Sequence, residues 1–219
     1  MIVKAHKLLE PYKNKHAGEE CIIFGTGPTL KDFDQTIAEG KTLMGSNEIV
    51  YYDLLMDYYL IGDAGTAKRG YNSDPQVYNE YTPNFVKFCR QPEPKHKRLS
   101  GYNTVPRNID SFTYFITDGE CYRARNPYLM NTIRDVGSVS LELAQFAVFL
   151  GYKTIYLVGQ DCDYSQGSYK SSVSRAVLQW SKCFVTKWRL FADYLEKKHP
   201  HVNVYNINPV GLIGVFDDY

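Results

Sequence analysis

Short apolar runs, each closed by glycine or a small polar residue, alternate along this chain with stretches whose apolar positions recur every three or four residues. The runs "CIIF" (21–24), "KTLMGSN" (41–47), "DYYLIGD" (57–63), "NFVKFC" (84–89), "DSFTYFIT" (110–117), "TIYLV" (154–158) and "VNVYNIN" (202–208) read as β-strands. Between them, Leu30, Phe33, Ile37 and Ala38 fall at helical spacing and predict a helix over 30–38. Leu141, Ala144, Phe146, Ala147, Val148 and Leu150 predict a strongly buried helix that Gly151 stops. A longer helix is predicted from about 174 to 198. Residues 1–20, Lys-rich with Leu8 and Leu9 and interrupted by Pro11, read as a peripheral lead-in. The stretch from about 65 to 110 is rich in Gly, Asn, Pro and charge and reads as an irregular insertion.

Strands alternating with helices predict an α/β fold: one Rossmann-like, doubly wound, mostly parallel sheet with helices on both faces, formed by 21–219 as a single nucleotide-binding domain. Ligands of such sheets bind beyond the carboxyl ends of the strands. The tips at 25–29, at Ser46 and Asn47 and at Asp63 are therefore expected to converge.

Composition narrows the partners. The 219 residues, 44% hydrophobic, suffice for a sizeable core, and 25 Lys plus Arg against 24 acidic residues give no global field for nucleic acid or a membrane surface. Any anion site must be local. No stretch is apolar enough to span a bilayer and the first 20 residues are too polar for a signal-peptide core, so a cytoplasmic protein with at most peripheral membrane association is expected. Five widely spaced cysteines without a C-x-x-C pair read as reduced and structural. Isolated His6, His16 and His96 read as solvated, the basic run 92–98 as exposed loop, and Trp180 and Trp188 as core.

The candidate chemistry lies in two loops. In "FGTGPTL", Gly25 and Gly27 allow the backbone to approach a ligand closely, and Pro28 suits the first turn of a helix whose N–H groups attract anions. The third glycine of the dinucleotide fingerprint is replaced by Leu30 and no G-K-[ST] follows, so neither that fingerprint nor a Walker loop is complete. The same residues also suit a tight strand-to-helix turn that holds no ligand. In "VGQDCDYSQGSYK" (158–170), a strand runs into Gln160 and Asp161 and then a loop with Tyr164 and Tyr169. Phenols and hydroxyls there suit a phosphate without net positive charge, while Asp161 equally suits a turn that caps its own backbone.

With both loops in view, the chain resembles two related groups: the MptE-like family, named for an archaeal 6-hydroxymethylpterin diphosphokinase, and the bacterial sialyltransferases that use CMP-sialic acid in lipooligosaccharide synthesis. "IIFGTGPTLKDFD", "GSNEIVYYDLLMDYYLIGD", "GSVSLELAQFAVFLGYKTIYLVGQDCDYSQGSY" and "VYNINPVGLIGVF" carry the resemblance in order, over most of the chain outside about 65–110. The sialyltransferase resemblance implies that Gly25, Thr26, Gly27 and Thr29 line a nucleotide site with Asn47, Gly137 and Ser138, with Arg134 nearby; Pro28 joins them as a loop candidate, while Asp63 and Gln160, in "GQD", lean toward the MptE-like group. It implies that Tyr164 and Tyr169 stabilise the departing phosphate and that no metal is required.

Two departures stand out. Asp63 occupies an asparagine position of the sialyltransferases, and residues 171–195 lack the histidine those enzymes use as base. Asp161, Asp163 or Asp63 would have to replace it. The first expectation is a glycosyltransferase moving a sugar from a CMP- or other nucleotide-activated donor to a surface glycan, in polysaccharide biosynthesis. The second is an MptE-like diphosphokinase passing diphosphate from ATP to a hydroxymethylpterin-like acceptor, with Asp63 and Asp161 organising magnesium. The third is a non-catalytic nucleotide-binding module. Oligomer formation is compatible with each.

Overall fold

The computed structural model describes residues 10–46, 49, 52, 54, 56–61, 86–90, 112–115, 138–163, 165, 167 and 183–219. Their strands are β1 (Glu20–Phe24), β2 (Thr42–Ser46), β3 (Tyr58–Ile61), β4 (Val86–Arg90), β5 (Phe112–Phe115), β6 (Thr154–Val158), β7 (Asn203–Ile207) and β8 (Asp217–Asp218). The α-helices among them are α1 (Val139–Leu150) and α2 (Phe184–Lys198). All seven expected strands are present, and only the two-residue β8 has no counterpart in the sequence reading. Residues 174–182, where the last helix was expected to begin, lie outside the described residues.

The strands form one sheet in the order β5-β4-β3-β2-β1-β6-β7-β8, parallel at every pairing. From β1 the chain winds outward through β2 to β5, then returns to place β6 on the other side of β1. The direction of winding therefore reverses between β1 and β6, whose register aligns Phe24 with Val158. Such a reversal splays the two following loops apart and leaves a crevice at the strands' carboxyl ends.

Alternation along the central strands sends side chains to two cores. Cys21, Ile23, Met44, Leu60, Ile155 and Leu157 face α1 and α2, packing with Leu143, Phe146, Ala147, Trp188 and Phe191. Ile22, Phe24, Leu43, Tyr59, Tyr156 and Val158 face the other way, onto Leu30, Phe33, Ile49 and Met56. Helical structure covers this second face too, but in tighter form. The α-helix expected over 30–38 is instead two 3-10 segments, Pro28–Asp32 and Gln35–Ala38. Asp34 causes the break, because its carboxylate accepts the Thr36 N–H at 2.9 Å and the Thr36 hydroxyl at 2.7 Å, starting a new turn where an α-helix would have continued.

Gly151 ends α1 as expected, in left-handed conformation with φ +91. The N–H of Gly151 donates to the Val148 carbonyl and that of Tyr152 to Ala147, the paired bonds of a Schellman cap. The lead-in docks here: the N–H groups of Asn14, His16 and Gly18 donate to the carbonyls of Phe149, Leu150 and Gly151. His16, expected to be solvated, is held at the amino ends of the strands. Its ring lies 2.6 Å from the Tyr58 hydroxyl and 2.8 Å from Glu19, and stacks on Tyr152 at 4.8 Å. No helix among the described residues is long and apolar enough to cross a membrane.

Candidate functional site

At the β1/β6 reversal the backbone ladder runs past both strands. Gly25 N–H donates to the Val158 carbonyl at 2.7 Å and Gly27 N–H to that of Gly159 at 2.9 Å. This close approach is what the two glycines serve. A Cβ on Gly25 would stand 2.3 Å from the Gly159 oxygen, and one on Gly27 would stand 2.4 Å from Asp161 Cγ. At both positions the side where a Cβ would stand is filled by the neighbouring loop.

Beside this seam lies a small cleft, part of it open to solvent. Thr26 and Gly27 come from the β1 loop, Ser138 and Ser140 from the start of α1, residues 159–163 from the β6 loop, and Phe184 and Trp188 from α2. Ser138 occupies the N-cap position of α1 yet makes no capping hydrogen bond with its side chain, so its hydroxyl is not committed to its own helix. The lining contains hydroxyls, amides and two aspartates but no Lys or Arg among the described residues. An anion here would be met by neutral donors and by the positive end of α1.

Of the expected site residues, the structure brings Thr26, Gly27, Ser138, Gln160 and Asp161 to one cleft. Gly25, Pro28 and Thr29 do not form its wall; Thr29 turns to Asp161 instead. Asn47, Asp63, Arg134, Gly137, Tyr164 and Tyr169 lie outside the described residues. Ser140, Phe184 and Cys162 also border the cleft. Trp188, expected as core, is fully buried, and Phe184, four residues earlier on α2, was not singled out in the sequence; Trp180 lies outside the described residues. Glu142, in the first turn of α1, is a fully buried carboxylate hidden from sequence reading by its apolar neighbours.

The two aspartates differ in kind. Asp161 is buried at 5% exposure, and its carboxylate accepts both the N–H of Thr29, at 3.0 Å, and the Thr29 hydroxyl. The turn that caps its own backbone, expected at Asp161, occurs at Asp163, whose carboxylate accepts the Ser165 N–H at 2.9 Å. Those hydrogen bonds hold the exposed Asp163 carboxyl below its ordinary pKa, which weakens it as a proton acceptor. Burial first and the neighbouring Asp161 carboxylate second push the Cys162 thiol up to about 12, so it stays a protonated thiol at neutral pH. Both Asp161 carboxylate oxygens accept protein donors and Gly27 packs on the group. Asp63, its expected partner around magnesium, lies outside the described residues.

Comparison with known proteins places this fold. No protein-family model matches the chain, and no curated protein does. Among solved structures, it is similar to the sialyltransferase CST-II in complex with a trisaccharide acceptor and CMP, at 16% identity and TM-score 0.55 over 86% of this chain and 80% of that one. It is likewise similar to CstII from Campylobacter jejuni with CMP (17%, TM-score 0.50, 87% and 80%) and with CMP-3FNeuAc (16%, TM-score 0.53, 86% and 81%). At these identities the likeness is one of fold: a parallel α/β sheet of the kind those glycosyltransferases use.

Proposed function

We propose that this protein is a nucleotide-dependent glycosyltransferase of the sialyltransferase-like kind, taking a sugar from a CMP-linked donor to a glycan acceptor. The observation that carries the reading is the cleft at the β1/β6 reversal, where hydroxyl and amide donors from three chain segments meet the first turn of α1, with no lysine or arginine among the described lining residues. A nucleotide monophosphate group suits such a site better than a magnesium-bound triphosphate, because neutral donors satisfy one phosphate without a cation. The likeness in fold to enzymes crystallised with CMP supports the same ligand.

In this reaction the bond between the anomeric carbon and a phosphate oxygen breaks, and a bond from that carbon to an acceptor hydroxyl oxygen forms. The hydroxyl proton passes to a base. Tyr164 and Tyr169 are assigned to the departing phosphate, with Arg134, Gly137 and Asn47 completing the nucleotide site; no metal is required.

The test is a thermal-shift panel of CMP, CDP, UDP, GDP and ATP, each with magnesium and with chelator. CMP at about a hundred times its Kd is expected to raise the melting temperature by about 5 °C or more, equally in chelator. Stabilisation by ATP only with magnesium would instead favour the MptE-like diphosphokinase. CMP binding with no turnover across a panel of CMP-sugars would leave a nucleotide-binding module.

A further inference from the structure

We infer that Asp161 is a positioning residue: its buried carboxylate fastens the β1 loop to the β6 loop and so fixes the Thr26–Gly27 backbone that walls the cleft. The inference rests on the nucleotide reading for its consequence, but not for its geometry. It moves Asp161 from proton or metal chemistry to the construction of the site.

The 3-10 segment after β1 starts with a capping vacancy. Gly27 stands at its N-cap and has no side chain with which to accept the N–H groups of the first turn. A local cap by Ser, Asp or Asn at this position is sterically barred, since its Cβ would lie 2.4 Å from Asp161 Cγ and 2.7 Å from the Gly159 oxygen. Asp161 supplies the missing acceptor from the other side of the reversal, 132 residues away in sequence, by taking the N–H and the hydroxyl of Thr29.

The β7 end closes the same joint. Gly211 N–H donates to the Asp161 carbonyl at 2.8 Å, and a Cβ on Gly211 would stand 2.2 Å from that oxygen. Asn208 Nδ2 reaches the Asp32 carbonyl, at the far end of the 3-10 segment, at 3.3 Å. Three loops are thus pinned around one residue. A buried carboxylate is costly unless its oxygens are satisfied, and hydrogen bonds to an ionised acceptor are about twice as strong as neutral ones. The order of the β1 loop therefore depends on a contact that no local sequence supplies.

Hydrogen exchange of segment 25–32 and CMP affinity, both measured far below the melting temperature, test this on Asp161→Asn, Thr29→Val, the double variant and Thr29→Ser. Asp161→Asn and Thr29→Val should each speed exchange of 25–32 and weaken CMP binding by about tenfold, the double variant by no more than the worse single, and Thr29→Ser should behave like the parent. Unchanged exchange in Asp161→Asn, or effects that add in the double variant, would overturn the latch. Loss of turnover in Asp161→Asn with exchange and CMP affinity intact would return the carboxylate to catalysis. If Asp161→Asn does not fold, Thr29→Val with Thr29→Ser carries the same comparison. A parent protein that binds no nucleotide would sink the functional reading, while exchange still decides the latch.

Discussion

At the scale of single residues, the site is a matter of tenths of an ångström. Gly27→Ala puts a methyl group into the Asp161 carboxylate and should destabilise the protein by roughly 1–3 kcal/mol, with nucleotide binding lost alongside. Gly40→Ala provides the contrast in the same denaturant titration. Nothing lies within 4 Å of its added Cβ, so its cost is confined to the left-handed backbone, about 1 kcal/mol. For the assigned leaving-group phenols, Tyr164→Phe combined with Tyr169→Phe should lower kcat by about a hundredfold or more while donor affinity changes little. Steady-state kinetics with the donor that the thermal-shift panel selects would show it; equal losses in both would contradict the assignment. The glycines themselves were legible as a loop at a strand end. What they approach was not, because "GTGPT" contains no sign of Asp161.

Elements join through their ends. The carboxyl end of α1 is finished by its own Schellman cap and by the lead-in, whose N–H groups take the carbonyls of Phe149, Leu150 and Gly151. His16→Ala removes the contact to Tyr58 and the stack on Tyr152, and should cost about 1–2 kcal/mol in urea unfolding. At the end of α2, burial first and His201 second lower the pKa of His199 below its ordinary 6.5. The folded form then favours neutral His199, so the unfolded chain binds more protons between the two values. This contribution to stability is complete above the unfolded pKa and is lost as pH falls through that pKa toward the folded one. His199→Gln should flatten the fall in stability as pH drops below about 6.5, read by melting temperature against pH. Periodicity located α1 and β6 because their burial is nearly complete. It misjudged 30–38, where apolar spacing is compatible with α and 3-10 turns alike and the Asp34 side chain decides between them.

For the whole molecule, balanced charge and a cleft with no lysine or arginine among its described lining residues imply weak salt dependence. CMP affinity should change by less than about threefold between roughly 50 and 200 mM salt, where a protein reading a nucleic-acid backbone would lose orders of magnitude; calorimetry at the two salt concentrations distinguishes them. The sequence by itself determined the parallel α/β class, seven strands and the two loops that border the cleft, since period and punctuation are local and survive in one dimension. Only the tertiary structure decided that β6 lies beside β1, that Thr26, Ser138 and Gln160 share one cleft, and that Asp161 holds Thr29. Strand order and long-range hydrogen bonds are set by which buried faces fit together, and that fit joins residues more than a hundred positions apart.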